Sequence, residues 1–103
     1  LSSTLVYIDK KKVQGFMSYV LRSDSFIEIL DIAVIPNRRR EGIARSLLIL
    51  FKGSNDHKGI IAYASEKNIP YQCLLRKCGI PCTDIKKDFF EKNDDAYIFT
   101  YDN

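Results

Sequence analysis

Tryptophan is absent from the chain, and histidine and methionine occur once each. One histidine leaves little material for a metal centre, and His57 stands in the polar run 53–59, where solvation is expected. The three cysteines, Cys73, Cys78 and Cys82, are odd in number and form no Cys-x-x-Cys pair. That excludes a disulfide framework and any common zinc pattern, so no metal is expected and reduced thiols in the cytoplasm are the simple reading. The longest apolar run, residues 47–51, is far short of the ~18–20 residues of a membrane span. No basic start followed by an apolar stretch marks a secretory signal. The chain opens on Leu1 and not on methionine, which is expected of a processed, trimmed or partial chain. An excess of one charge sign is also missing: 16 basic against 13 acidic residues give +3, too little to imply a nucleic-acid partner.

What is present is a balanced globular composition, 46% hydrophobic and 28% charged over 103 residues, enough for one domain spanning 1–103. Short β-rich runs at 4–8, 13–21 and 26–35 are separated by the turns Asp9-Lys10-Lys11-Lys12 and Arg22-Ser23-Asp24-Ser25, which predicts an antiparallel meander. Strict alternation in the third run puts Ile27, Ile29 and Ala33 on one face and Leu30, Ile32 and Val34 on the other. A strand apolar on both sides belongs inside a sheet with helices on both faces. From residue 41 the period becomes helical, with Ile43, Leu47, Leu50 and Phe51 as the inner stripe and Gly53 as the stop. Residues 59–64 read as a buried strand. A second helix starts at the N-cap Asn68 with Pro70 in its first turn and ends at Gly79; Tyr71, Leu74, Leu75 and Cys78 form its inner face. Two further strands, near 83–90 and 95–101, complete the order βββ-α-β-α-ββ. The expected class is α/β (α+β), a mixed and mostly antiparallel sheet with one parallel crossover.

The chemistry concentrates in residues 34–44, where a buried strand leads through Pro36-Asn37-Arg38-Arg39-Arg40 into a helix whose first turn carries Gly42 and Ala44. The first amides of a helix have no internal partners and lie at the positive end of its dipole. Small residues let an anion approach that backbone, and arginines add charge-assisted hydrogen bonds. This is an anion site suited to a phosphate or pyrophosphate. The segment Arg39-Arg40-Glu41-Gly42-Ile43-Ala44 resembles the acetyl-CoA-binding signature of the GNAT superfamily of N-acetyltransferases, Arg/Gln-x-x-Gly-x-Gly/Ala. Downstream, Asn68, Leu74, Lys77 and Gly79-Ile80 resemble a second stretch of that family, and the resemblance covers almost the whole chain.

The resemblance implies transfer of an acetyl group from acetyl-CoA to a primary amine by direct attack on the thioester. It implies that backbone amides of Arg39, Arg40, Glu41, Gly42, Ile43, Ala44 and Arg45 hold the pyrophosphate. The main chain of Ile32, Ala33 and Val34 would pair with the pantetheine arm, the amide near Ile32 would polarise the thioester carbonyl, and Asn68 would bind the pantetheine side. Glu28, about 13 Å from Ile32 along an ideal strand, matches a glutamate that acts as base, through water, in some members. Asp31, on the opposite face by alternation, is the weaker carboxylate. Two departures stand out. Where many members carry a tyrosine as general acid, this chain has Leu75, leaving Tyr71 one turn earlier as the candidate. The chain also starts at what corresponds to the family's second strand, without the usual N-terminal strand and helices that build much of the acceptor pocket. An open edge at 4–8 would favour a homodimer. The competing readings are a coenzyme A-binding sensor or interaction module with little catalysis, and a nucleic-acid contact through residues 38–40.

Overall fold

The structure is a computed structural model and describes residues 2–39, 42–54 and 56–103. Alternating apolar residues punctuated by polar turns give three consecutive strands, β1 (Ser3–Asp9), β2 (Lys12–Leu21) and β3 (Phe26–Val34). The β1–β2 turn is Lys10-Lys11, both at positive φ (52° and 65°), the hand that matches the twist of the flanking strands. A single 3-10 turn, Pro36–Arg38, leads to α1 (Ile43–Lys52), then β4 (Gly59–Ser65), α2 (Ile69–Lys77), β5 (Cys82–Glu91) and β6 (Asp94–Asp102). The expected element order is thus the observed one.

The six strands form one sheet in the order β1-β2-β3-β4-β6-β5. Only β3 and β4 run parallel, as the intervening helix requires; every other neighbouring pair is antiparallel. Phe99, Met17, Leu48, Ile60, Leu75 and Ile80 are fully buried and form the centre of the core.

Both helices pack on the same face of this sheet. Tyr19, Ile29, Ala62 and Phe99 are successive cross-strand partners and so lie on one side. Phe51 of α1 meets Tyr19 edge-on at 4.6 Å, and Arg76 of α2 stands over the Phe99 ring at 5.9 Å. The helices are tied to each other by Lys52, whose Nζ donates to the Cys78 carbonyl at 2.7 Å and lies 4.6 Å from the Tyr101 ring. The mixed sheet with its single crossover is as expected, but helical cover of both faces is not found among the described residues. That expectation rests on strict alternation in β3, which a β-bulge breaks. Ser18 pairs with Asp31 and Tyr19 with Ile29, which leaves Leu30 as an extra, half-exposed residue in β3. The bulge shifts the alternation by one residue, so Ile32 and Val34 join Ile27 and Ile29 on the helix-covered face. A strand that looks apolar on both sides by strict alternation is therefore apolar mainly on one.

Two smaller differences concern burial. Leu50 is 63% exposed, because the stripe that meets the sheet runs through Ile43, Leu47, Leu48 and Phe51 and leaves Leu50 at its margin. His57 is buried instead of solvated: its Nε2 lies 2.7 Å from the Phe51 carbonyl, and Asn103 caps its own carbonyl at 3.0 Å.

Gly59, the first residue of β4, is where the backbone approach is tightest. A Cβ there would run into the Tyr101 carbonyl oxygen and come within 2.7 Å of the Phe26 ring. We expect Gly59→Ala to cost about 3 kcal/mol or more in urea unfolding. Gly53→Ala is the control, since its φ is −84° and the nearest atom to a new Cβ is 3.9 Å away. It should be neutral or stabilise by up to about 1 kcal/mol. Equal unfolding midpoints for the two variants would refute the close approach of β4 to β6.

Candidate functional site

The site begins where a hydrogen-bonded ladder stops. β3 and β4 pair from Phe26↔Gly59 to Ile29↔Ala62, and no pair between them continues beyond that point among the described residues. Both strands go on, β3 to Val34 and β4 to Ser65, so the sheet opens into a wedge with the bulge at Leu30 just past its apex. A cavity of about 700 Å³ fills the wedge, within the usual range for small-molecule sites. One wall is the backbone of residues 30–34. The other walls come from Tyr63 and Ser65 on β4, from Asn68, Pro70, Tyr71 and Leu74 at the start of α2, from Ala44 on α1, and from Phe90 on β5.

The mouth of the wedge, at the Val34 end, is a helix N-terminus. Gly42 is the N-cap of α1, in the left-handed region with φ 81°, where a Cβ would be strained although nothing lies within 4 Å of it. The first helical hydrogen bond is from the Ser46 amide to the Gly42 carbonyl, 2.9 Å, so the amides of Ile43, Ala44 and Arg45 precede it. Among the described residues no side chain caps them, and the first turn has no acidic residue. These are the conditions under which a helix end accepts an external anion.

Of the candidates read from the sequence, Ile32, Ala33, Val34, Arg39, Ala44, Asn68 and Tyr71 all line the cavity. Arg39 folds back, its Nε donating to the Val34 carbonyl at 3.3 Å. Asn68 accepts from the Tyr71 amide through Oδ1 at 3.2 Å as the N-cap of α2, which leaves its amide nitrogen for another partner. Ile43 turns its side chain into the core and contributes only its backbone. The side chain of Arg45 faces a second hollow between the helices, beside Lys52 and Cys78, and not the wedge. Arg38 is turned away as well: its Nη1 donates to Asp9 at 3.0 Å and to Gln14 at 3.3 Å, pinning the turn to the β1–β2 hairpin. Arg40 and Glu41 lie outside the described residues.

The two carboxylates of β3 exchange standing. Glu28 pairs with Val20 and Asp31 with Ser18, so the bulge puts both on the helix-free face. Asp31 lines the cavity; Glu28 does not, and instead sits 3.6 Å from the Arg22 guanidinium. Asp31 has no ion-pair partner among the described residues. Burial, and then the Asp31 carboxylate, push the Tyr71 hydroxyl well above the usual phenol range. Leu75, at the place of the family's tyrosine, is fully buried in the core and cannot reach the cavity. Sequence reading missed Tyr63, Ser65 and Phe90. The one available signal was the Phe89-Phe90 pair, since consecutive large apolar residues do not fit an exposed alternating strand.

Residues 2–80 match the family model described as the acetyltransferase (GNAT) family. No curated protein sequence matches the chain. Among solved structures, a Bacillus subtilis acetyltransferase in complex with CoA superposes with a TM-score of 0.86 at 19% identity, over 99% of this chain and 77% of that one. A GNAT family acetyltransferase from Elizabethkingia anophelis with acetyl-CoA bound gives 0.86 at 21% identity, covering 99% and 76%. The ribosomal-protein-S18-alanine N-acetyltransferase from Escherichia coli gives 0.80 at 18%, covering 98% and 68%. At such identities these structures speak for the fold.

The raised Tyr71 value has a measurable sign. A phenol that resists ionisation in the fold adds stability below its ordinary value of about 10, and that stability is lost as pH rises beyond it. Spectrophotometric titrations of wild type and Tyr71→Phe should therefore coincide up to about pH 11, because Tyr71 does not ionise while the chain is folded. A smaller phenolate amplitude in the variant within that range would show that the hydroxyl titrates normally.

Proposed function

The chain belongs to the acetyltransferase (GNAT) family, and from that premise we propose that it transfers the acetyl group of acetyl-CoA to a primary amine by direct attack. The observation that carries this reading is the parting of β3 and β4 beside a helix N-terminus that no described side chain caps. Amides of Ile43, Ala44 and Arg45, with Arg39 beside them, suit a pyrophosphate in charge and geometry. Gly42, at the N-cap of α1, completes the phosphate site in this proposal. The unpaired lip of β3, through Ile32, Ala33 and Val34, offers main-chain partners to the pantetheine amides, and the spare nitrogen of Asn68 faces the same space.

In the proposed reaction the neutral amine attacks the thioester carbonyl. A nitrogen–carbon bond forms, the carbon–sulfur bond breaks, the extra proton leaves nitrogen, and the thiolate is protonated or hydrogen-bonded. A main-chain amide near Ile32 stabilises the oxyanion. Glu28 remains a candidate base through water, but it lies off the cavity beside the Arg22 guanidinium, whereas Asp31 stands on the same face at the cavity itself. Tyr71 supplies a hydroxyl that keeps its proton. A phenol above about 10 does not fully protonate a thiolate whose conjugate acid is near 8.5, so Tyr71 serves as a hydrogen-bond donor to the departing sulfur.

Calorimetric titration with acetyl-CoA tests the reading. Wild type should bind, and Gly42→Glu should weaken binding by at least about a hundredfold, because it places a carboxylate and a strained φ at the phosphate loop. Thiol release should require an added amine, and Asp31→Asn should lower kcat more than Glu28→Gln does. Binding without release under any amine would favour the coenzyme A-binding module with little catalysis. No binding by wild type would overturn both.

A further inference from the structure

The helix-free side of the wedge carries a second chemistry, and we propose that it selects a primary amine bearing an aromatic or large apolar group. Tyr63, Phe89 and Phe90 would hold that group while Asp31 faces the nitrogen. This proposal rests on the acetyltransferase reading and names the acceptor class that the reading leaves open.

The three rings form one assembly. Tyr63 and Phe89 are stacked, centroids 5.0 Å apart and planes 10° from parallel, and Phe89 meets Phe90 edge-on at 5.0 Å. Phe89 is 42% exposed and Phe90 46%, and Phe90 lines the wedge cavity together with Tyr63 and the half-exposed Leu30. Scattered apolar residues on a surface need no explanation, but three rings in a chain of contacts, two of them lining a cavity, do.

The backbone is shaped to place them there. Side chains of consecutive strand residues point to opposite faces, so Phe89 and Phe90 could not touch in a regular β5. The β5–β6 register jumps between Lys86↔Ala96 and Glu91↔Asp94, and Asp88 takes a positive φ of 51°. Acidic side chains hold this bulge: the Asp88 amide donates to Asp95 at 2.9 Å, Asn93 to Asp88 at 2.7 Å, and Asp95 to Glu66 at 3.3 Å. Arg22 interacts with the Tyr63 hydroxyl from the other side and also pairs with Asp24 at 3.1 Å. The outer rim is occupied by Lys86, whose Nζ lies 5.4 Å from the Phe89 ring, while Phe90 remains turned to the cavity.

Charge completes the selection. Asp31 offers in the same cavity a carboxylate with no ion-pair partner among the described residues, so a cationic amine is attracted there and its hydrocarbon flank meets the rings. A small polar amine would satisfy Asp31 and leave the aromatic rim wet. A bulky anion would meet Asp31 with like charge. Arylalkylamines and peptides with an aromatic first residue share the favoured chemistry.

The absence of tryptophan makes the test direct, because tryptamine and the peptide Trp-Gly-Gly are then the only indole fluorophores in solution. Each is titrated with the protein in the presence of CoA, and displacement by phenethylamine is compared with displacement by ethylamine. We expect binding of at least one probe, displacement by phenethylamine and not by ethylamine, and a loss of about tenfold in probe affinity in Phe90→Ala. Acetyl-CoA affinity of Phe90→Ala, read by calorimetry, should stay within about twofold of wild type, which also shows that the variant is folded. Tryptamine binding alone assigns a free amine as acceptor, and peptide binding alone assigns a peptide N-terminus. The proposal is overturned if neither probe binds, if ethylamine competes as well as phenethylamine, or if Phe90→Ala binds the probe as tightly as wild type. Failure of acetyl-CoA to bind wild type is a separate result and speaks against the acetyltransferase reading itself.

Discussion

Two parallel strands stay together only while their peptide groups face each other, and in this protein β3 and β4 do so for the span from Phe26↔Gly59 to Ile29↔Ala62. Everything functional follows from the divergence that begins there. Gly59 lets β4 press against β6 at the closed end, and the Leu30 bulge turns β3 at the apex. Past the apex the backbone of β3 is left with polar groups that a strand would normally satisfy, and such groups seek a partner. A gap in a sheet is costly unless something fills it, so the wedge reads as a binding slot and not as a fault in packing.

The sheet also divides the labour between its faces. On the helix-covered face, α1 and α2 are locked together through Lys52 and Cys78, and their N-terminal ends converge on the wedge. Dipole, backbone amides and Arg39 make that side receptive to phosphates. On the other face lie Glu28, Asp31 and Tyr63, with β5 curling its phenylalanines toward them. One opening through one sheet thus joins a cationic approach on one face to an acidic and aromatic one on the other.

The sequence made the order of elements legible because each element carries its own signal: lysines at a two-residue turn, a helical period from Ile43, and Asn68 with Pro70 at a helix start. The start of α1 was legible for the same reason, being local and marked by Gly42 and Ala44. What escaped was set by pairing between distant segments. The Leu30 bulge exists only because Ser18 and Tyr19 choose Asp31 and Ile29, and it reversed the facing of Asp31, Ile32 and Val34. Arg38 looked like a phosphate ligand, but its partner Asp9 lies 29 residues away. The burial of His57 depends on Phe51 and Asn103, and the contact of Phe90 with the wedge depends on a register jump in the last hairpin. Periodicity reports the faces of a regular strand, and at each of these places the strand is irregular or the partner is remote.

The lysine turn at residues 10–11 has a consequence in time. It and the turn at 22–25 join β1, β2 and β3 by neighbouring contacts, whose loop-closure entropy is small, so this meander can assemble as soon as it leaves the ribosome. The parallel pairing of β3 with β4 must wait for residues 35–58, and the lock from Lys52 to Cys78 waits longer still. The wedge therefore takes its shape after the meander, once β4 and α2 are available. A ligand that bridges its two lips stabilises only the finished form, which makes the supply of that ligand a factor in how fully a newly made chain matures.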